Sequence, residues 1–470
     1  MEGLFNNGLE RNNETMEVDN DQQLEQTVHD LVNLINSGQD DEFMNRFTNL
    51  HDYEKGQVYA AMPENIREVA WRIMDDETLA TVFDNLEIDP EEVVALLEEM
   101  PAQKGADILV TMFADNEADL LQAMPARQVA NYLSLMPADE VKEIKQLINY
   151  EDDTAGALMA TEYLAVKKSE KVKDVLVQVK KQAEEAESII YVYVVDDEHR
   201  LIGVVSLRDL LTHPDDMSID SITNTRVISV KADSDQKDVA QVVADYNFFS
   251  IPVIDAEKHL LGIITVDDIV DVIDEEAVGD YSGLAAVDVS DTDDSAWHSA
   301  VKRIPWLLTL LVLGLASTAL IGIFEHTIRQ APILAAFITI IAGTAGNAGT
   351  QSLALAIRHF GNGSDQSGLK NLVSEFISAI VLAIIGGFVL FLVTILWQGN
   401  QSLALAVGLS LGLSILAASV LAHLVPALLN RINIDPSIVN GPLIATVCDW
   451  ASILIYFSIA TAMLSQFVGK

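Results

Sequence analysis

The segment from Pro436 to Gly469 constrains the fold most, because Asp449 is its only charged residue. About 20 apolar residues suffice for a helix to cross a bilayer, so this segment is long enough to be a membrane span. A carboxylate at that depth must face a protein partner, water or an ion, since lipid does not solvate it. The pair Gly441-Pro442 interrupts the helical pattern ahead of Asp449, as in broken helices that line a cavity. The segment therefore predicts an ion pathway at Asp449, and a protonated or paired acid that only joins helices is the alternative.

Further apolar stretches precede this segment and predict an α-helical, five-span membrane domain over residues 304–470. The predicted spans cover residues 304–324, 331–357, 372–397, 402–429 and 436–467. Basic residues indicate the orientation: Lys302, Arg303, Arg358, Lys370 and Arg431 fall in loops predicted to be inside, and Arg329 and Lys470 fall outside. Because basic residues favour the inner side, we expect a multi-pass protein of the cell membrane with a cytoplasmic amino terminus and an external carboxyl terminus.

The charge of the chain is divided unevenly between its two parts. The whole chain carries −42, but from residue 301 onward seven basic residues stand against five acids, so the first 300 residues carry −44. Such an excess of acid disfavours nucleic acid as a partner and favours divalent cations, because clustered carboxylates repel one another unless a positive charge neutralises them. Solubility alone is the alternative explanation. The lone cysteine, Cys448, excludes an intrachain disulfide, and the amino terminus has no signal-peptide pattern, so we expect the acidic half to be cytoplasmic.

The first 150 residues predict a disordered lead-in followed by an all-α domain. Residues 1–22 are polar and acidic, with little to bury. Residues 23–150 have apolar residues at helical spacing, and Met-Pro recurs ahead of new helices, at Met62-Pro63, Met100-Pro101, Met124-Pro125 and Met136-Pro137. This repetition is typical of a superhelical solenoid of stacked helical hairpins. Asp115 and Asp119 share one helix face, where one cation would lie near both; a solvated face is the alternative.

Residues 151–276 change to short β-rich runs that alternate with helices, and the pattern occurs twice, over residues 151–215 and 216–276. Each copy ends in Gly-x-x-[Ser/Thr]-x-x-Asp, which resembles the signature of a tandem pair of cystathionine-β-synthase (CBS) domains, an α/β module. The resemblance implies an adenine nucleotide site, with ATP as a candidate modulator. The residues that match its ribose contacts are Ser206 with Asp209 and Thr265 with Asp268. A purely structural pair is the alternative, because no basic group for phosphate is obvious nearby.

The densest group of acids lies over residues 267–280, on the predicted last helix of the second repeat. Asp267, Asp271 and Asp274 share one face there, which destabilises a bare helix unless cations gather beside it. Hard divalent ions bound through carboxylates and water are the fitting counter-charges. Residues 277–303 then connect this helix to the first span. They are interpreted as a gate, with an inert polar tether as the alternative.

The order of acidic solenoid, CBS pair, acidic connector and five spans resembles the MgtE family of magnesium channels over about residues 25–470. Its most specific marks are Gly346-Asn347-x-Gly349-x-Gln351, Asp435-Pro436, Gly441-Pro442 and Asp449. The resemblance implies a homodimer in the lipid bilayer, whose pore is built from the second and fifth spans of both subunits. It implies that Asp449 binds the ion, with Asn347 and Gly441 at the pore. The chain departs from the family's pattern at Asn247, Gly279 and Gly441.

The same resemblance implies that magnesium holds residues 277–303, as a plug helix, in a closed arrangement. The sensor residues that match are Asp115 and Asp119 in the solenoid and Asp268, Asp271 and Glu276 at the CBS end. We therefore expect a magnesium-selective channel for uptake, gated by cytoplasmic magnesium. A proton-coupled divalent cation carrier and a membrane receptor that senses magnesium or nucleotide without transport are the alternatives. An enzyme is not expected, because the sequence has neither a nucleophile elbow nor a phosphate loop and its nine histidines lack metal spacing.

Overall fold

A computed structural model of the chain describes residues 22–468, apart from residues 87, 184–185, 286, 288–295, 362–367 and 432–440. The chain divides into two compact units, residues 1–269 and 270–470. Most of the predicted lead-in, the middle of the predicted connector and the Asp435-Pro436 pair lie outside the described residues. The two units are described in turn.

The first unit begins with short antiparallel helices that stack as the solenoid pattern predicted. They are α1 (residues 22–36), α2 (Asp40–Thr48), α3 (Asp52–Ala61), α4 (Glu64–Ile73), α5 (Asp76–Asp84), α6 (Pro90–Glu98), α7 (Ala102–Thr111), α8 (Ala114–Ala123), α9 (Ala126–Leu133) and α10 (Ala138–Leu147). Helices two apart in the chain pack together in five pairs: α3 with α5, α5 with α7, α6 with α8, α7 with α9 and α8 with α10. Each helix therefore buries its apolar face against its neighbours in the stack, as in a repeat protein.

The Met-Pro pairs lie at the helix starts, as predicted, but the prolines take the capping position and not the first helical turn. Pro63, Pro101, Pro125 and Pro137 are the residues that precede α4, α7, α9 and α10, with φ between −61° and −58°. The methionines before them are buried, Met62 at 1 % exposure. The pair thus anchors each turn in the core and starts the next helix, since the proline ring fixes φ near the value that this position requires.

The rest of the first unit consists of two CBS repeats, each with a three-stranded sheet. The elements are β1 (Tyr163–Lys167), α11 (Val172–Gln182), β2 (Ser188–Val195), β3 (Leu201–Ser206), α12 (Leu207–Thr212), β4 (Val230–Lys231), α13 (Gln236–Tyr246), β5 (Ser250–Ile254) and β6 (Leu260–Thr265). In each sheet the middle strand pairs parallel with the first and antiparallel with the third. The Tyr193 hydroxyl meets Ser250 Oγ at 3.0 Å and joins the repeats. The predicted α/β fold of this region is confirmed.

Helix α14 (Val266–Ala285) continues directly from β6 and carries the densest acids of the chain. The connector predicted as one helix over residues 277–303 is described in two helical parts. The first is the end of α14, and the second is the beginning of α15 (Ala296–Ile323). Residues 286 and 288–295, which lie between them, are outside the described part of the chain.

The second unit is helical and contains long apolar helices, as predicted. Its elements after α15 are α16 (Glu325–Gln330), α17 (Leu334–Gly361), α18 (Gly368–Gln398), α19 (Gln401–Arg431) and α20 (Gly441–Val468). Helix α19 packs against α17, α18 and α20, and α17 also packs against α20. Their shared core contains Phe337, Ile341, Val407, Tyr456 and Phe457, all at most 2 % exposed.

Four of the described helices are long and apolar enough to cross a membrane: Ser299–Ile323, Leu372–Gln398, Gln401–Leu429 and Gly441–Gln466. The predicted second span corresponds to α17, which is also 28 residues long but contains glycine, threonine, asparagine and glutamine over residues 343–351. These residues reduce its mean hydropathy. A polar helix of this kind is compatible with a membrane where other helices enclose it, and α17 packs against both α19 and α20. The second span therefore stays a prediction.

Candidate ion site and acidic cluster

Asp449 lies on α20, facing the small-residue segment of α17. A methyl group added at Gly346 would lie 3.3 Å from Asp449 Oδ1, so the carboxylate approaches α17 where that helix has no side chain. Asn347, the next residue of α17, is exposed in the single chain. The structure thus brings Asp449 to the stretch of α17 that also carries Asn347, and the pore role of both residues stays a prediction.

Glycines on both helices allow α17 and α20 to approach one another closely. A methyl group at Gly349 would lie 2.6 Å from Cys448 Sγ, and one at Gly441 would lie 3.4 Å from Thr350 Cγ2. At the start of α20, Gly441 lies beside Thr350, and further along α20, Asp449 lies beside Gly346, which comes earlier in α17 than Thr350. The two helices are therefore antiparallel. Small residues let helix backbones approach without a hydrophobic driving force, which is the usual packing mode in membranes.

Among the described residues, Asp449 has neither an ion-pair nor a hydrogen-bond partner. Its neighbours on α20 are nevertheless held firmly. The Trp450 indole donates a hydrogen bond of 2.7 Å to Ser317 Oγ on α15, and the Tyr456 hydroxyl donates one of 2.8 Å to the Leu334 carbonyl. The backbone at Asp449 is therefore fixed by its neighbours while its carboxylate is left without a charge partner.

Gly441 is the first residue of α20, so the predicted interruption corresponds to the start of a helix. It is buried, and a methyl group there would lie 3.0 Å from the backbone oxygen of Leu284, near the end of α14. The Leu284 side chain packs on an apolar cluster that includes Ala345, Ile444 and Cys448. The end of the acidic helix α14 therefore rests against the beginning of α20.

The first unit collects acids from distant parts of the sequence around Asp115. Asp115, on α8, is half-buried, and Asp268, in the first turn of α14, interacts with it electrostatically. Burial first, and then the Asp268 carboxylate, raise the pKa of Asp115 well above its ordinary value. Two of the predicted sensor residues are thus together in an anionic environment.

Sequence reasoning missed three other acids of this cluster, which we call the acidic cluster: Asp84, Glu162 and Glu187, together with Asp115 and Asp268. Burial raises the pKa of Asp84 from 3.8 to about 7, although the Asn116 side chain and the Phe113 amide donate hydrogen bonds to it. Burial, and then Asp268, raise the pKa of Glu187 from 4.5 to about 8. The three acids come from α5 and from the residues just before β1 and β2 of the first CBS repeat, so no local spacing signals them.

The remaining predicted sensor residues lie on the same helices as Asp115 and Asp268. Asp119 is exposed one turn further along α8. Asp271 is exposed and Glu276 half-buried, both on α14. In the described parts of the chain, no three acids or histidines converge closely enough to enclose a bare metal ion. The cluster offers oxygen donors alone, which suits a hard divalent ion that keeps several of its waters.

In each predicted nucleotide pair, the hydroxyl and the carboxylate are hydrogen-bonded to one another. Ser206 Oγ donates a hydrogen bond of 2.5 Å to Asp209 Oδ2 and accepts one of 3.1 Å from the Asp209 amide. Thr265 Oγ1 donates one of 2.7 Å to Asp268 Oδ2. The Ser206 amide also donates to Asp209 Oδ2, at 3.3 Å, which completes a capping box, and the Thr265 amide donates to Asp268 Oδ2 at 3.0 Å. Both arrangements stabilise the start of a helix without a ligand. A ribose would have to replace a hydrogen bond that each pair already makes.

These features define a multidomain membrane transport protein, in which an acidic helical domain and a CBS pair precede an α-helical membrane unit. Three family models match accordingly. Residues 338–459 match MgtE, described as a divalent cation transporter, residues 50–153 match the MgtE intracellular N domain, and residues 155–216 and 219–275 match the CBS domain.

Similar proteins cover nearly the whole chain. The magnesium transporter MgtE of Enterococcus faecalis is 45% identical over 449 residues, which is 95% of this chain and 99% of that protein. The magnesium transporter MgtE of Bacillus subtilis is 36% identical, over 92% of this chain and 96% of that protein. A solved structure of the soluble part of a magnesium transporter is 45% identical and aligns with a TM-score of 0.53, over 54% of this chain and 99% of that one. The chain belongs to the MgtE family.

Proposed function

We propose that this protein is a magnesium-selective channel for uptake across the cell membrane, gated by cytoplasmic magnesium. The observation that carries the proposal is the Asp449 carboxylate, which faces Gly346 in the membrane unit without a charge partner among the described residues. An uncompensated carboxylate in a span needs a cation or water beside it. The names of the two full-length relatives make magnesium the cation to test first.

The pore proposal uses a homodimer in which α17 and α20 of both subunits line the pathway. Two Asp449 carboxylates facing one another would repel without an ion, which favours entry of a dication over a monovalent ion. Magnesium loses its waters reluctantly, so carboxylate and amide oxygens, from Asp449 and Asn347, would select the hydrated ion without stripping it. The exposure of Asn347 in the single chain leaves its amide available for this role.

The gate proposal uses α14 as the moving element, with Asp115, Asp119, Asp268, Asp271 and Glu276 as its sensor residues. Without a counter-charge, the acidic cluster repels itself, so Asp268 and the helix that carries it are driven from α8. With divalent cations bound, the acids are held together and the far end of α14, at Leu284, stays against Gly441. This arrangement is negative feedback, and it operates to the extent that the ion binds the compact state better than the spread one.

ATP modulation is a second, finer proposal for the CBS pair. It rests on the hydroxyl and carboxylate pairs at the ends of β3 and β6, which match the ribose contacts of that module. Equilibrium dialysis of the purified protein with ATP tests it. We expect saturable binding that Asp209→Asn weakens; absence of saturable binding would remove ATP as a ligand.

The transport proposal is tested with purified protein in liposomes that contain a fluorescent magnesium indicator. We expect magnesium entry down an imposed gradient, and we expect Asp449→Asn to reduce it about thirtyfold, as the loss of about 2 kcal/mol of ion attraction implies. Glu325→Gln is the matched control, because Glu325 is an exposed acid of α16 that is paired with Arg329. Normal entry through Asp449→Asn would disprove the pore assignment.

The same preparation separates the rival functions. A proton-coupled carrier requires that magnesium entry follow an imposed pH gradient at fixed voltage, whereas the proposed channel does not. A receptor without transport would give no entry at all in wild-type protein. Competition by Mn²⁺, Co²⁺ and Ni²⁺ in this assay measures the selectivity.

A further inference from the structure

A second polar site lies in the membrane unit, away from Asp449 and α20. It is a cavity of about 80 Å³ between α18 and α19, and its polar wall is formed by Glu375, Ser419 and His423. The rest of the lining is apolar and includes Leu372, Phe376 and Leu424. Because a water molecule needs only about 10–15 Å³ of such space, the cavity has room for a small polar group.

Two features of this wall favour a ligand that donates hydrogen bonds. Ser419 is fully buried, at 0 % exposure, and its Oγ has no hydrogen-bond partner among the described residues. Glu375 is half-buried and accepts a hydrogen bond from Ser352 Oγ on α17, but no basic side chain in the described part of the chain pairs with it. A buried hydroxyl without a partner and an uncompensated carboxylate in a span are both costly. One ligand that is cationic and donates hydrogen bonds would satisfy both groups.

The depth of the cavity indicates where this ligand comes from. Glu375 is the fourth residue of the apolar segment Leu372–Gln398, and His423 lies in the last two turns of Gln401–Leu429. Helix α18 begins and helix α19 ends at the same membrane surface, because the two are antiparallel neighbours joined at residues 399–400. The cavity therefore lies at the level where lipid headgroups meet the hydrocarbon core.

The mouth of the cavity is apolar and faces outward. Leu372 is 39 % exposed, Phe376 46 % and Leu424 42 %, and all three belong to membrane-span candidates. A wall that is anionic inside and apolar outside complements a molecule with an ammonium head and hydrocarbon chains. Inside the cavity it does not complement a phosphate, because Glu375 would repel it, so only the ammonium end of such a head enters.

We propose that this cavity is a lipid site, in which Glu375 and Ser419 bind the primary ammonium of a phospholipid headgroup. An ammonium has three N–H donors, so it can bond to the Glu375 carboxylate and, once the buried Ser419 side chain turns towards the cavity, to Ser419 Oγ as well. The acyl chains lie along Leu372, Phe376 and Leu424. A trimethylammonium group has no N–H, so phosphatidylcholine would leave both oxygens unsatisfied; the site therefore distinguishes phosphatidylethanolamine from phosphatidylcholine.

Native mass spectrometry of the full-length protein in detergent tests the proposal, with phosphatidylethanolamine, its N-methylated derivatives and phosphatidylcholine as probes. We expect phosphatidylethanolamine to bind about tenfold more tightly than phosphatidylcholine, as one charge-assisted hydrogen bond implies, with intermediate affinity for the methylated lipids. Glu375→Gln and, to a smaller extent, Ser419→Ala remove this preference. Ser410→Ala is the matched control, because Ser410 is also buried on α19 but donates to the Ala406 carbonyl.

The outcomes decide between the lipid and its alternatives. Equal binding of the two lipids, or an unchanged preference in Glu375→Gln, overturns the proposal and leaves Glu375 as an acid that only joins helices. If Mn²⁺ binds in a manner that depends on Glu375 while the lipid preference does not, the cavity is an inorganic cation site and the proposal is wrong. Ser419→Ala keeps the test decisive if Glu375→Gln fails to assemble, since it removes only a hydroxyl.

Discussion

Single methyl groups determine how closely α17 and α20 approach one another beside Asp449. At Gly349 an added methyl group would lie 2.6 Å from Cys448 Sγ, which is closer than the two atoms can come without movement. At Gly343, on the same helix, an added methyl group would meet nothing within 4 Å. Comparing alanine substitutions at the two glycines therefore distinguishes the free-energy cost of crowding this interface from the general effect of alanine on the helix.

We predict that Gly349→Ala destabilises the membrane unit by about 1–3 kcal/mol and reduces transport, because the overpacked helices must separate. Gly343→Ala should be neutral or slightly stabilising, since alanine favours the helix over glycine. Thermal unfolding of the detergent-solubilised protein and the liposome assay measure both effects. The second substitution Cys448→Ala removes the clashing sulfur, so the double variant should recover; a loss of stability that Cys448→Ala does not relieve would contradict the steric explanation.

At the scale of elements, periodicity in the sequence was enough to predict the helical solenoid, the CBS pair and the apolar helices of the membrane unit, because these signals are local. Long-range relations were not predictable in this way. The start of α20 at Gly441 was predicted as a break in a span, but its contact with Leu284 depends on how α14 ends. The second span was predicted with the other four, yet α17 is less apolar than they are, because residues 343–351 are mostly glycine and polar residues.

The contact between α14 and α20 predicts a variant that closes poorly. In Gly441→Ala the added methyl group would lie 3.0 Å from the Leu284 backbone oxygen, so the end of α14 has to shift in the closed arrangement. We expect the magnesium concentration that closes half of the channels in patch recordings to rise about tenfold, as an overpacking cost of about 1.4 kcal/mol implies.

Gly279→Ala is the control for this variant, because Gly279 is also on α14 and an added methyl group there meets nothing within 4 Å. Its closing concentration should equal that of the wild type. If Gly441→Ala and Gly279→Ala close alike, α14 does not hold the channel closed through Leu284.

At the scale of the whole molecule, the −44 of the first 300 residues makes protons and cations the expected counter-charges of this acidic half. The sequence shows the excess of acid, and the spacing of Asp115 and Asp119 shows one local pair. It does not show that Asp84, Glu162 and Glu187 join Asp115, because the four residues are brought together only by the packing of α5 and α8 with the first CBS repeat. Buried acids must be neutralised, either by taking up protons or by binding a cation.

The exchange of protons for cations predicts that, without divalent cations, the stability of the acidic half falls as the pH rises. The pKa of Asp84 is raised from 3.8 to about 7 and that of Glu187 from 4.5 to about 8, so the folded state holds protons that the unfolded chain releases. The contribution of these groups is complete below pH 4 and is lost as the pH rises through 7 and 8. We expect the unfolding temperature of residues 22–269, in chelator, to fall by about 5 °C or more between pH 5 and pH 8.

Millimolar magnesium should abolish most of this fall, because the cation replaces the protons as the positive charge among the acids. In Asp84→Asn combined with Glu187→Gln the fall should be smaller even in chelator, since two of the groups that titrate are gone. Asp30→Asn is the matched control, because Asp30 is exposed on α1. A chelated protein that is equally stable at pH 5 and pH 8, or a slope that magnesium leaves unchanged, would mean that the acidic cluster does not exchange protons for cations, and the proposed sensor would lose its physical basis.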